Sequence, residues 1–332
     1  MKVPYSELLR VVSSHFQSLG LAPGHANEFA EVILEAEIEG NVGHGLTRVA
    51  QYTSQLQAGG LNAKPQMRLE RTKPSVAILH ADGAPGPVAG LFAVRVLAQM
   101  AQEQGSATLA VRGAGHSGVL SAYVGRLAQQ GLVALAFANT PPAIAPGPVL
   151  GTNPIALGAP AQPQPIIIDT SISVVARGKI IAASKKGAPI PEGWALDKEG
   201  RPTTDARAAL EGSLIPIGEG KGFALAVLVE ILAGVLAGEV LSPELPLPWM
   251  PPEQAAKPGL MLQAFDPGAF GLGYASRVAQ LIQALEAVGG RIPGSRRAAL
   301  REKAMTEGVE VSETLQAELG KLGLHLQGGG NP

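Results

Sequence analysis

The chain has 332 residues, 46% of them hydrophobic and 16% charged, with a net charge of −1 and no cysteine. This length allows about two domains with a substantial core, and the composition is typical of a globular protein. The near-zero charge and the lack of a basic patch interleaved with aromatic residues argue against nucleic acid or an anionic membrane as a partner. Zero cysteines exclude disulfides and thiolate metal sites.

The first seventy residues are predicted to be helical. Apolar residues recur every three or four positions in "SELLRVVSSHFQSLG" and "ANEFAEVILEAEIEG", and each segment ends at a glycine. A third helix is predicted from about Leu46 to Ala58. The opening sequence lacks the uninterrupted apolar segment and the cleavage site of a signal peptide, so a cytoplasmic protein is expected.

Strands and helices are then predicted to alternate. The segments "SVAILHADG", "ATLAVRGAG" and "LVALAFANT" are rich in strand-forming residues, with helices between them at about 88–104 and 119–130. A passage rich in proline and glycine follows at 141–165, and then a strand "PIIIDTS" and a helix that starts near Val174. This alternation predicts an α/β organisation.

The C-terminal part contains one strongly apolar run, "GFALAVLVEILAGVLAG" at 222–238. It is short for a membrane span and carries Glu230 in its middle, which predicts a buried core helix. The proline-rich segment 241–259 is predicted to be a loop or lid. A strand "LMLQAFD", a helix at 274–287 and a charged helical tail complete the chain.

The string "GAGHSG" at 113–118 formally satisfies the dinucleotide-binding pattern G-x-G-x-x-G. That pattern also needs an acidic residue about 20 positions later, and the next strand ends "ALAFANT" without one. Three interpretations remain: a dinucleotide fingerprint, an ordinary strand-to-helix turn, or a loop that projects His116 into a cleft. The third is favoured because functional side chains concentrate on loops at strand ends.

Two of the six histidines, His44 and His116, are flanked by glycines or small residues. An imidazole exchanges protons near neutral pH, and a guanidinium binds a carboxylate through two hydrogen bonds. If a helix begins near His44, the four-residue spacing puts this ring and Arg48 on one helix face. The alternative is a histidine in a surface turn beside a solvated arginine.

Two further segments have the composition of anion-binding sites. Asp169, Thr170, Ser171 and Ser173 lie between a predicted strand and a predicted helix, where they could surround a phosphate or simply cap the helix. Lys221 and Gly222 open the apolar helix without the spacing of a P-loop. No carboxylate and histidine pattern has metal-ligand spacing, so no metal is expected. Spacing alone therefore indicates an α/β enzyme for an anionic small molecule.

The chain resembles the malate/L-lactate dehydrogenase family of the second type, which includes ureidoglycolate, sulfolactate and diketogulonate enzymes and cyclic-imine reductases. The resemblance covers nearly the whole chain and is strongest at 41–238. It rests on ordered segments: "GHGLTRVAQY", "AVRGAGHSG", "NTPPAIAPGPVLGTNPIALGAP", "DTSISVVARGKI", "IPEGWALDKEGRPTTD" and "GEGKGFALAVLVEILAGVLAG".

This resemblance implies an NAD- or NADP-dependent oxidoreductase that interconverts a small 2-hydroxy acid and its 2-oxo acid, and usually a homodimer. The implied partner is a small-molecule carboxylate. The implied fold is α/β but not a Rossmann fold. A mixed, largely antiparallel sheet with flanking helices would form the cofactor domain at 73–287, and residues 1–72 with 288–332 would form a helical domain.

The resemblance also implies roles for individual residues. His44 and Arg48 match positions for proton transfer and substrate binding, and His116 matches a second active-site histidine. Proton transfer by His44, alone or shared with His116, is favoured. The implied cofactor contacts are Asn139, Thr140, Asp169, Thr170, Ser171, Ser173, Lys221, Gly222 and, in the segment "IPGS", Ser295.

Some positions depart from the family pattern. Gly43 replaces a common serine, Gly115 and Ser117 replace asparagine and phenylalanine, and Gly220 replaces an aromatic residue. A more open and more polar pocket is expected beside His116. Two alternatives therefore remain: a reductase of a cyclic imino acid such as piperideine-2-carboxylate, and a non-catalytic ligand-binding relative. The sequence favours neither NAD nor NADP.

Overall fold

The structure, a computed structural model, describes residues 1–326. Its helices are α1 (Tyr5–Ser18), α2 (Pro23–Ile38), α3 (Val49–Gln57), α4 (Gly86–Gln104), α5 (Ser121–Gln129), α6 (Arg177–Lys186), α7 (Ala206–Glu211), α8 (Gly220–Val229), α9 (Tyr274–Ala287), α10 (Ser295–Glu307) and α11 (Glu313–Gly320). Its strands are β1 (Lys2–Val3), β2 (Arg68–Lys73), β3 (Val76–His80), β4 (Ser106–Arg112), β5 (Val133–Ala138), β6 (Ile155–Ala159), β7 (Ile166–Thr170), β8 (Ala195–Leu196), β9 (Pro202–Thr203), β10 (Ser213–Leu214), β11 (Leu260–Phe265) and β12 (Val309–Glu310).

A seven-stranded sheet in the order β2-β3-β4-β11-β5-β6-β7 forms the centre of the molecule. β3 and β4 run parallel, and every other neighbouring pair of this sheet is antiparallel. This arrangement confirms the predicted mixed, largely antiparallel fold and excludes a doubly wound Rossmann sheet, in which the strands are mostly parallel.

Both faces of the sheet are covered. On one face α4 packs on β4 and β11, and α5 packs on β5 and β6. The opposite face of β5 and β11 contacts a π-helix, Glu230–Leu236, which continues α8. Strand β11 contributes to the hydrophobic clusters on both faces. Leu262 belongs to the cluster formed with α4 and α5, and Met261 belongs to the cluster formed with the π-helix. Alternation along each strand thus places the core on both sides.

The N- and C-terminal segments of the described chain meet. β1 pairs with β12, and residues from α1, α2 and α3 share a hydrophobic cluster with residues of the 309–324 segment. The main sheet begins at Arg68 in β2, a few residues before the predicted change of organisation at 73. The C-terminal segment of the described chain is therefore joined to the helices that precede the sheet.

Sequence patterns did not predict the short strands β1, β8, β9, β10 and β12 or helix α7, and the structure differs from the prediction at three further places. β2 was not predicted because all six of its residues are exposed, which leaves no apolar alternation. β6 lies within the proline- and glycine-rich passage at 141–165 that was interpreted as irregular. The helix predicted to start near Val174 starts at Arg177, as α6.

The helix predicted to be buried at 222–238 is buried on one side only. Ala226, Val229 and Ala233 face the protein, whereas Leu228 and Leu236 are exposed. A run that is apolar all round gave no sign of this asymmetry. Within residues 1–326, no helix combines the length and the hydropathy that a membrane crossing requires.

Candidate active site

The segment that carries His44 consists of two short 3-10 turns, Val42–His44 and Leu46–Arg48, followed directly by α3. The partly buried carboxylate of Glu37 accepts a hydrogen bond of 2.8 Å from the Leu46 amide. A side chain at Gly45 would overlap this carboxylate, so only glycine fits between the two turns. Glu37 therefore fixes the position of the loop, and its burial raises its pKa.

His44 and Arg48 do not share a regular helix face, contrary to the prediction. The break at Gly45 separates them, and the Arg48 guanidinium folds back so that Nε donates to the Gly43 carbonyl at 2.7 Å. One Nη1 hydrogen is donated to Gln51 at 2.6 Å. Among the described residues the other guanidinium hydrogens have no acceptor, so they are available to a carboxylate ligand.

The loop that carries His116 follows β4 and leads into α5. The Gly115 amide donates to the Ala84 carbonyl at 2.9 Å, and the buried Tyr123 hydroxyl donates to the Ser117 carbonyl. A side chain at Gly86 would collide with the His116 backbone, so the start of α4 lies directly against the loop. These contacts of the residues before and after His116 hold its backbone in place and thus preorganise the imidazole.

His44 and His116 come together in the structure, although they lie 72 residues apart in the sequence and this separation does not by itself predict their proximity. Their rings are stacked with centroids 5.5 Å apart and an interplanar angle of 18°. Burial lowers the pKa of His44 to about 4, Arg48 adds to the lowering and Asp169 opposes it. Burial, followed by the charges of Arg48 and His44, holds the pKa of His116 well below its ordinary value. Both rings are neutral at pH 7.

A tyrosine completes the cluster. The Tyr52 hydroxyl lies 2.8 Å from Nδ1 of His116, and the Gly118 amide donates to the same nitrogen at 3.2 Å. Tyr52 is fully buried, and burial raises its pKa to about 12. The hydroxyl therefore keeps its proton at every working pH.

The expectation of a more open pocket beside His116 has no support at Gly115 or Ser117, and the expectation of higher polarity stays a prediction. A side chain at Gly115 would overlap Leu61, so this glycine faces packed protein. Ser117 is buried as well. The open positions are Gly43 and Gly220, where no atom of the other residues that the structure describes lies within 4 Å of the place a Cβ would occupy.

The segments predicted to contact the cofactor adjoin one another. The Ile217 amide donates to the Ile172 carbonyl at 2.8 Å, and the Val174 amide donates to Ile215 at 2.9 Å. These bonds connect the segment at 169–173 with the start of α8, where Lys221 and Gly222 lie. The Ile172 amide also donates to Thr152 at 2.8 Å, and the Thr152 hydroxyl lies 3.4 Å from that of Thr140.

Asn139 belongs to a buried polar network. Its amide group donates to Glu230 at 3.1 Å and to the Val240 carbonyl at 2.9 Å, and its oxygen accepts from Gly259 at 2.8 Å. Both hydrogens of the Asn139 amide are thus already donated and the residue has no exposed surface, so the predicted contact of Asn139 with a cofactor stays a prediction. Its next neighbour, Thr140, retains some exposure.

Asp169 and Ser295 lie where β7 meets the C-terminal segment. Asp169 accepts from the Ser121 amide at 2.9 Å, and its carbonyl accepts from Arg297 of α10 at 2.8 Å. The Ile167 amide donates to Pro293 at 3.2 Å, which fastens the segment before Ser295 to β7. The "IPGS" segment thus adjoins the strand that ends in the predicted cofactor turn.

The exposed members of the predicted set fit a nicotinamide dinucleotide. Ser173 and Gly222 are buried, whereas the residues with exposed surface are Thr140, Asp169, Thr170, Ser171, Lys221 and Ser295. Hydroxyls, a lysine and the open start of α8 at Gly220 are the groups that ribose, carboxamide and phosphate require. No cluster of three histidine, aspartate or glutamate side chains suited to a metal occurs within residues 1–326.

Sequence reasoning missed three residues of this region: Tyr52, Glu37 and Glu230. Tyr52 follows Arg48 by four positions, as Arg48 follows His44, and this repeat was an available signal. Glu230 was noted only as a carboxylate within an apolar run, and Glu37 gave no signal, because the partners of both are brought to them by the tertiary fold.

Comparisons with known proteins agree with this geometry. A sequence profile of the malate/L-lactate dehydrogenase family matches residues 3–320. The (2R)-3-sulfolactate dehydrogenase (NADP(+)) of Chromohalobacter salexigens is 40% identical over 91% of this chain and 92% of its own length. The Delta(1)-pyrroline-2-carboxylate/Delta(1)-piperideine-2-carboxylate reductase of Pseudomonas putida is 34% identical over 94% of each.

A solved structure gives the same result at the level of the fold. The delta1-piperideine-2-carboxylate reductase of Pseudomonas syringae pvar. tomato superposes with a TM-score of 0.91 and 34% identity, over 97% of this chain and 99% of that one. The predicted resemblance is confirmed: the chain belongs to the malate/L-lactate dehydrogenase family.

Proposed function

We propose that this protein is a nicotinamide-dependent oxidoreductase that interconverts a small 2-hydroxy acid and its 2-oxo acid, with His44, Arg48 and His116 in contact with the substrate. The stacked pair of neutral histidines beside a guanidinium with free N–H groups carries this proposal. Family membership and the sulfolactate dehydrogenase relative support it.

The task of Arg48 differs from that of the two histidines. Arg48 binds the substrate carboxylate through its free Nη hydrogens, which holds C2 and its oxygen near the imidazoles. A carboxylate there also offsets the Arg48 charge that contributes to the low pKa of His44 and His116, so substrate binding raises both pKa values. The nicotinamide, when bound, supplies hydride-transfer chemistry.

The test is the change in absorbance at 340 nm with NADH or NADPH and a panel of oxaloacetate, pyruvate, sulfopyruvate and piperideine-2-carboxylate. Arg48→Gln is expected to raise KM for the active substrate on the order of 100-fold, because a buried carboxylate loses its paired cation. Arg10→Gln, at an exposed arginine of α1, is the matched control. Binding of NADH without turnover of any substrate would contradict the proposal.

Reduction of a cyclic imino acid is the second candidate. Two relatives with this activity in their names cover nearly the whole chain, one of them a solved structure. In this reaction Arg48 would hold the same carboxylate, and the proton would go to the imine nitrogen. Turnover of piperideine-2-carboxylate without turnover of the 2-oxo acids would favour this candidate over the first.

We propose further that the protein is a cytoplasmic homodimer. The exposed apolar face of α8 and the π-helix supports a second copy as partner, because five large apolar side chains on it are 38–64% exposed: Leu225, Leu228, Ile231, Val235 and Leu236. The absence of cysteine and the use of a nicotinamide cofactor suit the cytoplasm.

A further inference from the structure

We propose that Tyr52 is a positioning residue that holds His116 in the tautomer with its proton on Nε2, so that this ring presents a hydrogen-bond donor to the substrate oxygen. The identity of that oxygen rests on the proposed function. The tautomer itself rests on the contacts of the imidazole alone.

The hydrogen bonds at Nδ1 determine the tautomer. A backbone amide can only donate, so the contact of 3.2 Å from Gly118 requires a lone pair on Nδ1 of His116. The Tyr52 hydroxyl, at 2.8 Å from the same nitrogen, must then donate as well. A neutral imidazole with an unprotonated Nδ1 carries its hydrogen on Nε2.

The packing around Tyr52 makes it a rigid donor. Its ring is buried in the cluster of the N-terminal helices and meets Phe29 edge-on, with centroids 4.8 Å apart. Arg48 lies in the turn that leads directly into α3, so the position of this helix determines where both the guanidinium and the Tyr52 hydroxyl lie. The phenol therefore reaches Nδ1 from one fixed direction.

This arrangement divides the work of the two histidines. Neutral His116 donates a hydrogen bond from Nε2 and polarises the substrate oxygen, but it keeps its proton because loss would leave an imidazolate. In reduction His44 first takes up a proton from solvent, because the substrate carboxylate offsets the Arg48 charge that lowers its pKa, and the resulting imidazolium gives this proton to the substrate oxygen and becomes neutral again. In oxidation the neutral His44 accepts the hydroxyl proton. His116 thus stabilises charge on the oxygen throughout.

The first test observes the resting protein and needs no turnover. Nitrogen-15 chemical shifts of histidine-labelled protein distinguish protonated from unprotonated ring nitrogens, and the His116→Asn variant identifies the signals of His116. We expect an unprotonated Nδ1 and a protonated Nε2. In Tyr52→Phe, where one of the two donors is lost, we expect a mixture of tautomers. A protonated Nδ1 in the unaltered protein would overturn the proposal.

The second test is kinetic. Tyr52→Phe is expected to lower kcat on the order of 10- to 100-fold while KM changes by less than about threefold, because the substrate carboxylate contacts Arg48 and not the phenol. Tyr5→Phe removes a hydroxyl of α1 elsewhere in the same cluster and is the reference. A kcat within about twofold of the unaltered enzyme, or a lower kcat with an unchanged tautomer, would overturn the positioning role. An inactive unaltered protein would refute the proposed function, and the nitrogen shifts would still decide the tautomer.

Discussion

Two glycines flank His44, and they differ in what surrounds them. Gly45 lies against the Glu37 carboxylate, and Gly43 faces open space. The first glycine is needed so that the carboxylate can approach the backbone and accept from Leu46. The second leaves room beside the imidazole. Close packing therefore requires glycine at position 45, whereas glycine at position 43 leaves open space.

A matched pair of substitutions separates these effects. Gly45→Ala is expected to lower the free energy of unfolding by about 1–3 kcal/mol and to reduce kcat/KM, because the added methyl displaces Glu37 and breaks its hydrogen bond. Gly43→Ala should change stability by no more than about 0.5 kcal/mol. Urea denaturation measures both, and equal effects of the two substitutions would argue against the role given to Glu37.

His44 should make stability depend on pH. Its pKa is about 4 in the folded protein, against 6.5 for the ordinary group. Between these values the unfolded chain binds the extra proton, so this contribution to the free energy of unfolding rises with pH from about 4 to 6.5 and is constant above. As pH falls from 7 to 4, the unaltered protein should therefore lose up to about 3 kcal/mol of unfolding free energy that the His44→Asn variant does not lose.

Urea denaturation across this pH range checks the prediction, with His325→Asn, at an exposed histidine, as the control. Parallel curves for His44→Asn and the unaltered protein would mean that His44 titrates normally.

The central residues of the site were predictable from sequence, and their supports were not. Glycines and spacing singled out His44, Arg48 and His116, because local pattern carries that information. The pairing of Tyr52 with His116 arises where α3 meets the loop after β4, and only the fold brings those together. The break at Gly45 also shows that a four-residue spacing does not guarantee one helix.

At the scale of elements, the π-helix after α8 depends on its first residue. The buried Glu230 carboxylate accepts from Asn139, from Asn153 at 2.9 Å, and from both the amide and the hydroxyl of Ser242. Asn153 in turn accepts from the Thr140 amide at 3.1 Å. One carboxylate thus joins the π-helix, the segment after β5 and the start of the proline-rich segment.

Glu230→Gln is expected to lower the free energy of unfolding by about 2–4 kcal/mol, because the new amide presents hydrogens to groups that are themselves donors. Glu244→Gln, at an exposed glutamate of the next turn, should leave stability nearly unchanged. Urea unfolding of the two variants gives the comparison. Similar midpoints for both would show that solvent or rearrangement satisfies the donors.

The elements themselves were predicted where apolar periodicity was strong, as in α2 and β5. The prediction failed for β2, whose exposed residues show no apolar alternation. It also failed for β6, which pairs with β5 and β7 although the surrounding sequence is rich in proline and glycine. Strand formation there depends on neighbours that local sequence does not specify.

At the scale of the whole molecule, the exposed face of α8 and the π-helix should determine the assembly state. Ile231→Asp is expected to convert the proposed dimer to a monomer, because a charge at the centre of an apolar interface is costly to desolvate. Analytical ultracentrifugation measures the change. Met305→Asp, at an exposed apolar residue of α10, is the control. A dimer that survives Ile231→Asp would place the contact elsewhere.

The position of β11 in the sheet has a consequence for how the chain folds as it is made. β4 and β5 do not pair with each other, since each pairs with β11, which follows both at a great distance in the chain. Any half-sheets that form during synthesis would therefore have unpaired inner edges until β11, which ends at Phe265, has been made. Open edges of this kind recruit other chains. A nascent chain stalled before Leu260 would be prone to aggregate, and the protein's demand for chaperones should be greatest during that interval of its synthesis.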